Sequence, residues 1–197
     1  MWNERYASDD YLFGTEPADF LHRAAPWLVP GETVLCIADG EGRNSVWLAA
    51  QGMRVTAFDP APNAVAKARK LAAMRGAAVD FRVTDLDGWD WSVPYDVVAG
   101  IFIQFVGPDA RAILFDRIKT ALRPGGLLLL HGYAPRQVDY GTGGPPDAEN
   151  MYTLDLLRRT FAGWEVLRAE DFDADIDEGT GHSGRSALID FVARKPG

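Results

Sequence analysis

Short apolar runs alternate with amphipathic segments along this chain, and the alternation limits the fold more than any other feature. Five runs are predicted to be strands: 33–38, 55–58, 79–83, 95–103 and 127–130. Helices are predicted between several of them, at 43–50, 60–75 and 108–122. Apolar runs of this kind are typical of strands that helices cover on both faces, as in a parallel sheet. The pattern therefore predicts a doubly wound α/β sheet.

The C-terminal third departs from this pattern. The segment 135–147 is rich in glycine and proline and is predicted to be a long loop, followed by a helix over 153–161 with Thr153 as its N-cap. Strands are predicted at 164–172 and 185–193, and the acidic stretch between them at 173–184 is predicted to be a solvated loop. Two strands with no helix between them should form an antiparallel hairpin. We therefore expect a Rossmann-like, mostly parallel seven-stranded sheet that ends in an antiparallel C-terminal hairpin.

Charge and cysteine content exclude several classes of function. The chain of 197 residues carries 20 Lys and Arg against 28 Asp and Glu, a formal net charge of −8. An acidic chain lacks the electrostatic field that attracts nucleic acid or anionic lipid, so neither is an expected partner.

The single cysteine, Cys36, cannot form an intramolecular disulfide and fits a reduced compartment. With no apolar run long enough to span a bilayer and no signal-like start, we expect a cytoplasmic protein. The scattered histidines predict no metal site.

The loop after the first predicted strand is the strongest indication of a ligand site. Gly40 and Gly42 permit a sharp turn there, although such a pair also marks ordinary turns. Asp59, at the end of the second strand, can accept hydrogen bonds from both hydroxyls of an adenosine ribose. A dinucleotide site would need a third glycine, where Ser45 stands, and would avoid the acidic residues Asp39 and Glu41. The loop favours a phosphate-free ligand with an ammonium or sulfonium, such as S-adenosylmethionine, and leaves an NAD(P)-dependent reductase as a less favoured alternative.

Several segments together resemble a known family, the class I S-adenosylmethionine-dependent methyltransferases, and within it the small branch of tellurite-resistance and thiopurine methyltransferase-like proteins. The resembling segments are Val34 to Asn44, Phe58-Asp59, Thr84-Asp85-Leu86, Tyr95 to Val98, Leu122 to Gly126, the N-terminal pattern of Trp2, Arg5, Tyr6, Tyr11 and Gly14, and the late loop Tyr140 to Pro145. The resemblance implies one domain, with 1–30 as an N-terminal helical lid and 31–197 as the cofactor-binding core.

The resemblance also implies which residues contact S-adenosylmethionine and its product S-adenosylhomocysteine. They are Arg5, Tyr11, Ala38, Asp39, Gly40, Gly42, Asn44, Asp59, Pro60, Asp85, Leu86 and Ile101. Arg5 is expected to pair with the methionine carboxylate. Two positions depart from the family, which usually has an acid at Cys36 and a glycine at Ala38. These departures keep a non-catalytic cofactor-binding or regulatory protein as an alternative, and Asp39 is a hypothetical replacement for the lost acid.

Methyl transfer from a sulfonium is an in-line displacement that needs alignment more than a particular catalytic side chain. The substrate-side candidates are Gln104, His131, Tyr133 and His182, which lie at or near strand ends. A histidine there orients substrate or accepts a proton, or is simply structural or solvated. The expected substrate is a small molecule, with a thiol or a chalcogen oxyanion as possible nucleophile, and the chain is expected to be a monomer or a homodimer.

Overall fold

The structure is a computed structural model that describes residues 2–197. The strands are β1 (Thr33–Ile37), β2 (Arg54–Asp59), β3 (Val79–Val83), β4 (Tyr95–Ile101), β5 (Leu122–Tyr133), β6 (Glu165–Asp177) and β7 (Ser183–Arg194). The α-helices are α1 (Trp2–Arg5), α2 (Asp19–Ala24), α3 (Arg43–Ala50), α4 (Pro62–Arg75), α5 (Pro108–Ala121), α6 (Gln137–Tyr140) and α7 (Leu154–Thr160). Two 3₁₀ turns cover Ala25–Trp27 and Ala148–Asn150.

The strands form one seven-stranded sheet in the order β3-β2-β1-β4-β5-β7-β6. Strands β1, β2 and β3 pair in parallel, as do β4 and β5. Strand β7 pairs antiparallel with both β5 and β6. The predicted doubly wound sheet with an antiparallel C-terminal hairpin is therefore confirmed. The apolar runs predicted it correctly because both faces of the inner strands are buried, as in β1 and β4.

Several boundaries differ from the predictions, and the predicted loop at 135–147 contains α6. Strand β5 begins at Leu122, directly after α5, so residues 123–126, between the predicted helix 108–122 and the predicted strand 127–130, lie inside a strand. The hairpin of β6 and β7 extends to Asp177 and Ser183, so most of the acidic stretch at 173–184 is strand and not loop. Asp173 in this stretch and the preceding Asp171 both form salt bridges with Arg136. The segment between β3 and β4 consists of turns and bends.

The chain divides into two compact units. The first runs up to Asp90 and includes Glu178–Gly181, and the second comprises Trp91–Asp177 and His182–Gly197. In the first unit, α4 buries an apolar stripe of Ala64, Val65, Ala68, Leu71 and Ala72. In the second unit, α5 buries Leu114, Phe115 and Ile118, and Phe115 contacts Phe161 and Tyr152. The predicted single domain with a boundary at residue 30 stays a prediction.

Gly42, the residue before α3, packs closely against α4. Its φ is +88°, and a Cβ atom built there would lie 2.7 Å from the Cβ of Ala68 on α4. The glycine is thus required both by its left-handed backbone and by helix packing. Gly76 also has a positive φ, of +62°, but a Cβ built there meets no atom of the described chain within 4 Å.

We expect Gly42→Ala to lower the free energy of unfolding by roughly 3 kcal/mol or more, because it adds overpacking to backbone strain. Gly76→Ala adds strain alone and should cost about 1 kcal/mol. Urea unfolding of both variants measures the two losses. Equal losses would show that the close contact with Ala68 has no energetic role.

Candidate functional site

The turn between β1 and α3 is built from left-handed backbone. Ala38, Gly40 and Gly42 have φ values of +46°, +61° and +88°, so three of five residues lie in the region that favours glycine. The Gly40 N–H donates to Oδ2 of Asp59 at 2.9 Å. Oδ1 of Asp59 accepts from the Ala61 N–H, also at 2.9 Å. The carboxylate predicted for ribose recognition is therefore held against the glycine loop, and burial raises its pKa.

Asp39 caps the helix that follows this turn. Its Oδ1 accepts from the Ser45 N–H at 3.3 Å, and its Oδ2 accepts from the Ser45 hydroxyl. A carboxylate at this position satisfies a free N–H of the first turn and interacts favourably with the helix dipole. Burial nevertheless raises the pKa of Asp39 to about 7, although the Ser45 hydrogen bonds act in the opposite direction. The N-terminus of α3 thus already holds an anion from the chain itself.

Glu41 does not present the open carboxylate that the sequence suggested. It is buried, its Oε1 lies 2.6 Å from the Lys67 amine, and its Oε2 accepts from the Leu12 N–H at 2.8 Å. Helical periodicity in the predicted helix 60–75 places Lys67 on the outward face, opposite Val65 and Ala68, but only 8% of Lys67 is exposed. The expectation was wrong because helical periodicity cannot reveal a charged partner 26 residues away. The pair neutralises one of the loop's two acidic residues.

Residues 2–19, here called the N-terminal segment, lie along the glycine loop. The Tyr6 hydroxyl is so close to Gly40 that a Cβ built there would be 3.2 Å away. Burial and the nearby Asp59 and Glu41 carboxylates raise the pKa of Tyr6. Further along, the Tyr11 hydroxyl donates to the Lys67 carbonyl at 3.1 Å. The described part of the predicted helical segment 1–30 contains the four-residue α1, the six-residue α2 and the 3₁₀ turn Ala25–Trp27.

Two predicted cofactor residues have other roles in this arrangement. Asn44 Oδ1 accepts from the Ala18 N–H at 3.0 Å and so anchors the N-terminal segment. Arg5 is exposed, with its guanidinium carbon 4.4 Å from the centre of the Trp2 ring. Its expected pairing with a ligand carboxylate stays a prediction.

The segment Thr84-Asp85-Leu86, which the family resemblance implies contacts adenine, follows β3. Asp85 is exposed, and its Oδ1 accepts from the Asp87 and Gly88 N–H groups at 3.1 and 2.8 Å. Leu86 is half-buried, and Pro60 is exposed directly after Asp59. Trp89 stacks on Phe58 with ring centres 4.7 Å apart and planes within 14°. The sequence analysis missed Trp89, although an aromatic residue three positions after the adenine motif could have indicated it.

The substrate-side candidates all lie in the second unit. Gln104 forms two hydrogen bonds with the backbone of Tyr133 at the end of β5. Its Nε2 donates to the Tyr133 carbonyl at 2.7 Å, and its Oε1 accepts from the Tyr133 N–H at 2.6 Å. His131 is buried with its Nδ1 2.8 Å from Oδ1 of Asp190. Oδ2 of Asp190 accepts from Arg168 Nε at 2.9 Å. Asp190 was not predicted, because nothing local in β7 marks it as a histidine partner.

Phe102 connects these candidates. Its φ of +56° is a strained value for a bulky residue. Its ring centre lies 4.2 Å from that of His182, 4.8 Å from that of His131 and 4.9 Å from that of Tyr133. His182 is buried in this cluster, so the alternative of a solvated histidine was wrong. Ile101, a predicted cofactor residue, is buried at the end of β4. Strained backbone of this kind concentrates at functional sites.

Residues 34–126, which include the glycine turn and Asp59, match the family described as "Methyltransferase domain". The chain is similar to this methyltransferase family over those residues. Within residues 2–197, no helix has the length and apolar character that crossing a membrane requires.

Curated relatives of the chain include a "Hemagglutinin 1" of Eikenella corrodens, which is 29% identical over 94% of this chain. A "Ubiquinone biosynthesis O-methyltransferase" of Xylella fastidiosa is 32% identical over 66% of it. The chain spans 66% and 53% of the length of these two relatives.

Solved structures with the same fold include TehB from Haemophilus influenzae, with a TM-score of 0.74 and 19% identity over 98% of this chain and 65% of that one. The N-methyltransferase NodS from Bradyrhizobium japonicum, in complex with S-adenosyl-L-homocysteine, has a TM-score of 0.70. It is 15% identical over 99% of this chain and 97% of its own.

We expect the stability of the protein to depend on the Asp39 carboxyl. A raised native pKa means that its contribution to stability is present below the unfolded pKa of about 4 and is lost as pH rises through 7. Asparagine does not titrate, so the free energy of unfolding of Asp39→Asn should not show this decrease with pH. The stability of the variant relative to that of the wild type should therefore rise by about 2–3 kcal/mol from pH 5 to pH 8, measured by urea unfolding at both values. A constant difference would contradict the raised pKa.

Ala38→Gly should stabilise the protein. A non-glycine residue in left-handed conformation costs about 1–2 kcal/mol, and glycine loses roughly 0.5–1 kcal/mol in chain entropy. The expected net gain is up to about 1 kcal/mol in the free energy of unfolding. A loss of stability would show that the Ala38 methyl group makes contacts that outweigh the strain.

Proposed function

We propose that this protein transfers the methyl group of S-adenosylmethionine to a small-molecule nucleophile. The observation that carries the proposal is the Asp39 carboxylate on the N-terminus of α3, beside the glycine turn and Asp59. Dinucleotide-binding proteins place a pyrophosphate at that helix end. Here the position holds a carboxylate, which would repel a diphosphate, whereas a sulfonium or ammonium is attracted.

The residues present fit an adenosyl ligand. Each oxygen of Asp59 accepts one backbone N–H and retains a second acceptor site for a ribose hydroxyl. Gly40 leaves the loop without a side chain at this point, and Asp85 supplies a second carboxylate after β3. When bound, the cofactor supplies an activated methyl group: its carbon–sulfur bond breaks as the bond to the nucleophile forms, and S-adenosylhomocysteine leaves. The protein has to align the reactants and exclude water.

For the acceptor we keep a thiol or a chalcogen oxyanion as the proposed class, within the tellurite-resistance and thiopurine methyltransferase-like branch. Soft anions of this kind need no base. An oxygen acceptor is the second candidate. It is favoured by the His131–Asp190 pair, in which an oriented imidazole can accept a proton. A relative named as an O-methyltransferase supports the same candidate.

We propose that the protein is a cytoplasmic monomer or homodimer.

A non-catalytic binder of S-adenosylmethionine is the alternative from another functional class. It is motivated by the strained φ of Ala38 and by Cys36, where relatives of the resembled family usually carry glycine and an acid. Incubation with labelled S-adenosylmethionine and a panel of thiols, chalcogen oxyanions and phenols separates the two classes. Methyl transfer to any member supports the enzyme. Cofactor binding without transfer across the panel supports the binder.

A thermal-shift screen tests the cofactor class. S-adenosylhomocysteine at one hundred times its dissociation constant should stabilise the protein by about 2.7 kcal/mol, which raises the melting temperature by roughly 5–10 °C. NAD and NADP at the same concentration should leave the temperature unchanged, because Asp39 occupies the phosphate position. A shift with a dinucleotide and none with S-adenosylhomocysteine would refute the proposed function.

A further inference from the structure

The turn between β6 and β7 packs closely against the N-terminal segment. Its residues Glu178–Gly181, here called the hairpin tip, belong to the first compact unit. A Cβ atom built at Gly179 would lie 2.6 Å from the backbone nitrogen of Gly14. A Cβ atom built at Gly181 would overlap the Phe13 ring. Glycine is therefore required at both positions of the tip, because the two segments approach too closely for any side chain.

Hydrogen bonds join the hairpin tip to the same stretch of the N-terminal segment. The Leu12 carbonyl accepts from the Gly181 N–H at 3.0 Å and from the Thr180 hydroxyl at 3.3 Å. On its other side, the Leu12 N–H donates to Oε2 of Glu41 at 2.8 Å. Leu12 is thus bound both by the loop that follows β1 and by the tip.

Phe13 links the hairpin tip to the glycine turn between β1 and α3. Its ring packs edge-on against the ring of Tyr6, with ring centres 6.4 Å apart. The Tyr6 hydroxyl in turn lies beside Gly40, whose N–H donates to the Asp59 carboxylate. Contacts therefore run from the tip, through two aromatic rings, to the groups that are proposed to hold the ribose.

Little apolar burial holds the N-terminal segment in place. Among residues 2–16 only Tyr6 is buried, and Leu12 is half-buried. Segments with few buried apolar contacts open locally at a much lower free energy than global unfolding requires. The hairpin tip is itself anchored, since Oε2 of Glu178 lies 2.8 Å from Nη2 of Arg43 in a buried salt bridge. Contacts with an anchored tip therefore contribute strongly to keeping the segment closed.

We propose that the hairpin tip is a catch that closes the N-terminal segment over the glycine turn and controls the exchange of the adenosyl ligand. A ligand held by Asp59 and Gly40 leaves after Tyr6 moves, and Tyr6 moves when the tip releases residues 12–14. The release rate of S-adenosylhomocysteine is then set by the opening of this contact. The inference rests on the proposed function, which supplies the ligand.

Gly179→Ala tests the catch. The added methyl group meets backbone atoms of the N-terminal segment, so the opening equilibrium of that segment should rise by about 5- to 100-fold. Hydrogen–deuterium exchange of peptides that cover residues 10–18, measured by mass spectrometry on the free protein, reports this equilibrium. The dissociation rate of labelled S-adenosylhomocysteine, measured by displacement with unlabelled ligand, should rise by a similar factor because release requires the open segment.

Gly163→Ala is the matched control. Gly163 has a φ of +83°, close to the +76° of Gly179, but a Cβ built there meets no atom of the described chain within 4 Å. The control adds the same backbone strain without the contact and should change neither rate. If Gly179→Ala does not fold, Thr180→Val removes only the hydroxyl hydrogen bond to Leu12, and it should raise both rates about two- to tenfold.

Each result decides the proposal. Unchanged hydrogen exchange in both tip variants would overturn the catch, and so would an equal acceleration in Gly163→Ala. Faster hydrogen exchange with an unchanged dissociation rate would show that opening of the segment does not control the ligand, which also overturns it. A wild type that binds no S-adenosylhomocysteine would refute the proposed function and the control of exchange with it, while hydrogen exchange would still decide whether the tip fastens the segment.

Discussion

The left-handed turn from β1 into α3 is the constraint on which the candidate site depends. Its positive φ values at Ala38, Gly40 and Gly42 reverse the chain within five residues. The reversal places Asp39 on the first turn of α3, aims the Gly40 N–H at Asp59, and brings Gly42 against Ala68. A different turn would release all three contacts together. The backbone conformation of the turn thus determines where the polar groups of the candidate site lie.

Two buried salt bridges also hold this turn in position. Glu41 with Lys67 and Arg43 with Glu178 each join a residue of the loop or of α3 to a distant part of the first unit. Buried pairs of this kind add little net stability, because desolvation offsets the attraction, but breaking one is costly. Their effect here is positional. Glu41 accepts from the Leu12 N–H and Glu178 accepts from the Asp19 N–H, so the middle and the C-terminal end of the N-terminal segment are both bound to charged side chains.

Sequence reasoning succeeded where burial alone decides structure. Strands β1 to β4 and helices α3, α4 and α5 were predicted within about two residues, because apolar periodicity reports burial directly. Sequence reasoning failed where a residue's environment depends on a partner far away in the chain. Lys67 was predicted to face solvent because its partner Glu41 belongs to another element, and Asp173 of β6 was predicted to lie in a loop because the sequence does not reveal its partner Arg136. Asp190 and Trp89 escaped notice for the same reason: their partners His131 and Phe58 lie on other strands.

The raised pKa of Asp39 has a consequence for the proposed function. A carboxyl with a pKa of about 7 is close to half protonated at neutral pH. A ligand with a positive charge beside it would favour the ionised form, so binding would release a proton and become tighter as pH rises through 7. A diphosphate would do the opposite and raise the pKa further. The same residue therefore stabilises the helix end in the free protein and favours a cationic over an anionic ligand, and this dual role explains why an acid at the helix N-terminus is compatible with a nucleoside site of this fold.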